Sequence, residues 1–200
     1  MKKIVKDALI LFVITIIAGV LLGAVYKITK EPIATQNEKT KLAAYNSVFD
    51  RMDTYENIDD LSKAQDAIDE SSYDGVTINE AVMAYDSNKA LLGYIITVTD
   101  ANGYGGDIKM TVGIDAAGVI TGLEFLDINE TAGLGMKAKQ SSFKDQFIGH
   151  YGKVNWTKAE EKSEDEIDAI SSATITTKAV TSGVNGALAA YTVLGGESHE

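Results

Sequence analysis

Two short stretches hold the residue types and spacing that could do chemistry. The first is Glu130-Thr131-Ala132-Gly133-Leu134-Gly135. Two glycines around one leucine let backbone amides approach a ligand closely, and Glu130 and Thr131 add polar handles. An ordinary glycine turn accounts for the same letters. The second is Asp168-Ala169-Ile170-Ser171-Ser172-Ala173-Thr174-Ile175-Thr176-Thr177, which leads into an apolar helical pattern. Ser and Thr before a helix are expected as N-caps. The same geometry also makes an anion site, because the first amides of a helix lack partners and its dipole favours negative charge there.

Little else in the chain could react. There is no cysteine, which excludes disulfides, thiolate metal sites, cysteine-held iron–sulfur clusters and a thiol nucleophile. His150 and His199 are the only histidines, too few for a histidine metal site or a catalytic pair. The net charge of −11 lacks the clustered Lys and Arg that phosphate backbones need, so nucleic acid is not an expected partner. Redox work with this inventory requires a borrowed organic cofactor.

The elements that must position these stretches read as α+β. Ala8 to Tyr26 is uncharged over about 19 residues, which as a helix reaches roughly 28 Å, close to the hydrocarbon thickness of a bilayer. A cleaved secretory signal is the rival reading, but the run exceeds a usual signal core, and a retained anchor over residues 1–30 is preferred. Lys2, Lys3 and Lys6 precede the run while Lys27 and Lys30 follow it. A cytoplasmic N-terminus with an acidic domain outside is the more economical arrangement.

Residues 31–79 read as a helical stalk or linker. Leu42, Tyr45, Val48, Phe49 and Met52 fall on one helix face, expected to pack on its own domain, and 53–72 reads as a short solvated helix with loops. From residue 80 the period becomes that of strands: 81–85, 91–99, 107–114 and 119–126 predict an antiparallel meander. A final helix is expected over 176–193, closing a domain that spans 80–200.

Taken together, the stretches resemble the FMN-binding domain family of the Rnf and Na+-translocating NADH:quinone reductase complexes. In that family a flavin transferase esterifies FMN, through its phosphate, to a threonine in Asp-x-x-(Ser/Thr)-Gly-Ala-Thr. Asp168, Ser171, Ala173 and Thr174 match, and Ser172 stands where the family usually has glycine. The first stretch resembles Glu-Thr-Pro-Gly-Leu-Gly with Ala132 in place of proline, and Gly103-Tyr104-Gly105-Gly106-Asp107 is also similar to that domain. The resemblance implies covalent FMN on Thr174, with phosphate donors among the amides near Ser172 to Thr174 and with Asp168, Ser171, Ser172 and Ala173 as cofactor-binding residues. Glu130, Thr131, Gly133, Leu134 and Gly135 would lie along the flavin, with Lys158 a further candidate contact. The short anchor and compact stalk resemble the G subunit of the Rnf ferredoxin:NAD+ oxidoreductase more than the longer C subunit of the quinone reductase. That implies an electron relay on the outer side of the membrane, coupled to Na+ or H+ transport, with the other Rnf subunits, the flavin transferase and the lipid bilayer as partners. A membrane-tethered binding or scaffold domain without flavin is the alternative of a different class.

Overall fold

The computed structural model describes residues 2–159 and 161–195; Met1, Glu160 and 196–200, His199 among them, lie outside the described residues. The chain divides into two compact units, Met1–Lys41 and Leu42–Glu200. Helix α1 runs from Lys2 to Val48 and continues through Pro32. By length and composition it contains a stretch able to cross a membrane, and none of that stretch is buried. Phe12 and Leu22 are among its exposed side chains. A row of exposed leucines, isoleucines and a phenylalanine has no partner in water, and a bilayer supplies one. Thr15 and Thr29 turn their hydroxyls back onto the carbonyls of Leu11 and Val25, at 2.8 and 2.9 Å, which hides them from an apolar surrounding.

In the second unit the sheet order is the chain order: β1 (Thr54–Asn57), β2 (Val76–Tyr85), β3 (Leu91–Asp100), β4 (Ile108–Asp115) and β5 (Ile120–Ile128), antiparallel throughout. Helix α2 (Ser62–Glu70) connects β1 to β2. After β5 come short 3-10 turns, the single turn α3 (Ser141–Lys144), and a parallel pair, β6 (Asn155–Thr157) with β7 (Glu166–Asp168). Helix α4 (Thr174–Leu194) ends the fold.

Both faces of the sheet are covered, which is why β3 is apolar along its middle rather than alternating. Ile96 and Val98 point into the main core with Met110, Val112, Ile68 of α2 and Val180 and Val184 of α4. Ile95 points to the opposite face, where Tyr45, Val48 and Phe49 cover it together with Val82 and Ala84. Of the helix face expected to pack on its own domain, Tyr45, Val48 and Phe49 do so and Met52 packs from the turn beyond Val48, where α1 ends, whereas Leu42 is 40% exposed. Gly113 and Gly122 sit opposite each other on β4 and β5 and leave a gap that Val48 fills.

The compact unit that contains the sheet begins at Leu42. The segment 53–72, read as solvated helix and loops, contributes edge strand β1 and the packed helix α2, whose Ala64 and Ile68 are fully buried. Its dense acids mask the pattern: they occupy the outer face while only two apolar positions, Ala64 and Ile68, carry the packing. The parallel pair β6–β7 also escaped the periodicity, because strands of three residues have almost none. A β-carbon on Gly122 would lie 2.9 Å from the Val48 Cα. Gly122→Ala should accordingly destabilise the domain by about 1–3 kcal/mol, seen as an earlier midpoint in chemical denaturation, since the obstacle is backbone and cannot rotate away.

Candidate functional site

The loop after β5 is shaped by its glycines. The Thr131 carbonyl accepts the amides of Leu134 and Met136, at 3.1 and 3.2 Å. Gly133 takes φ +76°, left-handed backbone that favours glycine. Gly135 serves a different purpose: a β-carbon there would lie 2.6 Å from both Glu130 Oε2 and Thr176 Oγ1. Only a residue without a side chain lets this loop meet the start of α4.

That start is built by Thr177. Its hydroxyl accepts the Ile170 N–H at 3.0 Å and donates to the Ala173 carbonyl at 3.0 Å, fully buried. The bracket folds residues 170–173 back under the helix. Ser172 is forced to φ +63° at the turn. This is the position where glycine is usual in the resembling motif, and the left-handed backbone supplies the reason. The helix begins at Thr174, two residues before the expected start, and its N-cap residue is Ala173, with no side-chain cap. The expectation that Ser or Thr caps this helix is thus corrected, and the first amides keep their donors free of any side chain.

The two loops enclose a cavity of about 460 Å³ lined by Tyr104, Glu130, Thr131, Leu134, Gly135 and residues 172–176. At one end stand the uncapped amides and the half-buried Thr174. Around the rest stand apolar faces: Leu134 and Ile175 are 39% and 51% exposed, and Tyr104 is 69% exposed. An anionic group fits the first end and a flat apolar ring the second.

Of the residues singled out from sequence, Glu130, Thr131, Leu134, Gly135, Ser172, Ala173 and Thr174 converge here. Gly133 shapes the loop without lining the cavity, and a β-carbon on it would meet nothing within 4 Å. Asp168 and Ser171 turn the other way and line a separate groove of about 340 Å³. There Asp168 Oδ2 pairs with Lys162 at 3.1 Å and its amide donates to Gln146 at 2.8 Å. Lys158 is exposed and does not line the cavity. Tyr104, Ile175 and Thr176 line it without having been expected as contacts. The glycines flanking Tyr104 were the available signal; for Ile175, an apolar residue set among hydroxyl residues and left exposed in a first helical turn was the other.

Glu130 departs most from its expected part. Only 8% exposed, it accepts the amides of Tyr104 and Gly105 on Oε1, at 2.8 and 3.3 Å. Its carboxylate fixes the loop that carries Tyr104 as well as bordering the cavity.

Residues 103–189 match the FMN-binding domain family, and residues 1–48 match the N-terminal region of RnfG. The chain is 34% identical to the G subunit of the Na+-translocating ferredoxin:NAD+ oxidoreductase complex of Acetobacterium woodii, covering 95% of this chain and 92% of that one. The chain belongs to the RnfG family. It is likewise 31% identical to the G subunit of the ion-translocating oxidoreductase complex of Aliivibrio fischeri, over 93% and 89% of the two chains. The fold is shared with two crystal structures. The C subunit of the Na+-translocating NADH-quinone reductase of Parabacteroides distasonis superposes with a TM-score of 0.57 at 18% identity, over 80% of this chain and 94% of that one. Shewanella oneidensis NqrC superposes with a TM-score of 0.51 at 17% identity, over 59% of each. The segment matching the FMN-binding domain contains every residue that lines the cavity. In this RnfG family member the cavity lies within the ~300–1,000 Å³ of small-molecule sites, and its donor set fits FMN.

Glu130→Ala should leave the Tyr104 and Gly105 amides without an acceptor and cost about 1–3 kcal/mol in thermal or chemical unfolding, while Glu130→Gln, which keeps a carbonyl oxygen, should retain most of the stability.

Proposed function

We propose that this chain is the membrane-anchored FMN subunit of an Rnf-type ion-translocating ferredoxin:NAD+ oxidoreductase, with the flavin esterified through its phosphate to Thr174. At the coarser level it is a flavin electron-transfer subunit of such a complex, as its family membership and FMN-binding domain establish. The attachment to Thr174 is supported by one observation above the others. Thr174 is the first residue of α4, half-buried, in the cavity wall beside uncapped amides.

The neighbouring hydroxyls suit the task less well. Thr177 is spent on its bracket between Ile170 and Ala173. Ser171 belongs to the other groove, and Thr176 is 1% exposed. A phosphate on Thr174 would meet the helix amides and the positive end of the dipole without needing a basic cluster. Ser172 and Ala173 form the turn that presents those amides, while Thr131, Leu134 and Gly135 border the opposite wall. Bound FMN supplies one- and two-electron chemistry; the chain contributes binding, orientation and partial exclusion of water. The ester holds the carrier on the side of the membrane where free FMN is scarce.

Asp168 and Ser171 remain part of the attachment motif in this reading, but as residues on the outer side of the turn, where a flavin transferase would meet the chain. Lys158, exposed and outside the cavity, has no part in it. The remaining Rnf subunits and the bilayer are the other partners, and the transported ion is Na+ or H+. In this reading Lys2, Lys3 and Lys6 stay in the cytoplasm and the FMN domain lies outside; with Lys27 and Lys30 after the run the charge asymmetry is small, and the resemblance to the FMN-binding domain family carries the orientation.

Thr174→Val keeps the branched shape and deletes the hydroxyl. Flavin fluorescence should vanish from the band on a denaturing gel, and the intact mass should fall by one FMN moiety, with the domain still folded. A fluorescent band in the variant moves the ester to another residue. Gly133→Val, in contrast, meets open space, so its effect is confined to strain at φ +76°. Orientation is read with a single cysteine at exposed Ser163, in a chain that has none of its own. A membrane-impermeant thiol reagent should label it in intact cells; labelling only after lysis places the domain inside.

A further inference from the structure

Beside the flavin cavity lies a second one of about 430 Å³, between the end of β3, the turn before β2 and the first turns of α4, and Ile175 lines both. Asp100 forms part of its wall and is wholly buried. One carboxyl oxygen, Oδ1, accepts the Asn102 N–H at 2.7 Å. The other, Oδ2, is buried with no hydrogen-bond partner.

The surroundings leave a negative charge on Asp100 poorly supported. Its cross-strand partners are Val76 on β2 and Ile108 on β4, both apolar. The charged groups that line the same cavity are Asp74, from the turn before β2, and Lys178, from α4. No ion pair joins Lys178 to Asp100 among the described residues. Ser182 of α4 supplies only a neutral hydroxyl. Desolvation raises the Asp100 pKa above the ordinary carboxylate value, against the lowering effect of the Asn102 amide and side chain and the Ser182 hydroxyl. A buried carboxylate without a counter-ion resolves its cost by taking up a proton.

We propose that Asp100 is a proton-binding site in the wall of the cavity that adjoins the flavin cavity at Ile175, and that its proton is held more tightly when negative charge enters the flavin cavity. The first half stands on the geometry of the chain alone; the second rests on the FMN reading. The step is simple: the carboxylate takes one proton from solvent and becomes the carboxylic acid, with no other bond made or broken. Linkage makes the effect mutual. Each negative charge added next door, whether a phosphate or a delivered electron, strengthens proton binding at Asp100, and an ionised Asp100 opposes that added charge. The site thus gives an electron carrier a coupled proton of its own.

Direct titration tests it. The full chain in detergent, labelled with carbon-13 at aspartate carboxyls, is followed by NMR, with Asp100→Asn assigning the signal. Asp100 should titrate above the ordinary value of about 3.9 and shift further upward in the flavin-loaded chain than in flavin-free Thr174→Val. An ordinary midpoint, or the same midpoint in both chains, overturns the proposal. Flavin absorbance of the purified chain tests the functional reading separately, so the two failures are distinct.

Stability supplies the second measurement. A carboxyl whose folded pKa is raised binds more protons folded than unfolded, so its contribution falls as pH rises from the unfolded value through the folded one. Asp100→Asn, a permanent mimic of the neutral acid, should therefore melt above the parent at pH 8, with the gap closing towards pH 4. A variant that melts below the parent at pH 8 and matches it at pH 4 would show that the ionised form is the stabilising one. If the variant fails to fold, the Asp100 signal is assigned by backbone correlation and the titration of the parent chain decides.

Discussion

Gly183 and Gly186 set how closely α4 lies against the sheet, because a β-carbon on either would fall 2.7 Å from Met110 or from Val76. Glycine inside a helix costs about 1 kcal/mol relative to alanine, so two of them near each other need a compensating contact. Here that contact is the burial of Val180, Val184 and Ala187 against the middle of the sheet. The Thr177 bracket settles where the helix begins, and the position of Thr174 and its neighbouring amides follows from it. Gly135 repeats the device at the other wall, letting the loop after β5 reach Thr176. The cavity is what remains between two close approaches.

The chain carries a net charge of −11, yet its site suits an anion. This works because helix amides are dipoles rather than ions: they meet a phosphate without a lysine and leave nothing charged when the phosphate is absent. Negative charge near the site is managed in two ways. The Glu130 carboxylate accepts two amides on Oε1, at 2.8 and 3.3 Å, and becomes structural. Asp100 receives only one such amide and leaves its other oxygen unpaired. Two buried carboxylates of one site region are thereby set to different tasks by the number of donors each can reach.

The apolar run in α1, the strands from residue 91 onward and the helix at the C-terminus were legible in the sequence, because each rests on a pattern sustained over eight or more residues, whereas β2 was read only over 81–85 and begins at Val76. Both site stretches were legible too, as dense runs of Gly, Ser and Thr. Less was legible where local pattern was short or masked. The acids of 53–72 concealed an edge strand and a packed helix, and three-residue β6 and β7 had no period to read. The start of α4 was placed two residues late because hydroxyl residues were expected to cap it, whereas Thr177 reaches back from inside the helix and leaves Ala173 at the cap.

By itself the sequence determined the inventory: no cysteine, few histidines, an apolar segment of bilayer length, and hydroxyl and glycine motifs that fit an esterified flavin. Composition and local spacing are enough for the inventory, since they are properties of single segments; the esterified flavin came only from the resemblance to the FMN-binding domain family. Only the tertiary structure decided which motif residues face the same space. Asp168 and Ser171 are three to six positions from Thr174 yet line a different groove, while Tyr104, distant in sequence, lines the same cavity. The reason is the turn at Ser172, which reverses the chain in one residue, and the antiparallel return of β4 and β5, which brings the Tyr104 loop to Glu130. Neither long-range pairing nor the unpaired oxygen of Asp100 leaves a trace in local pattern, because both depend on which neighbours packing supplies.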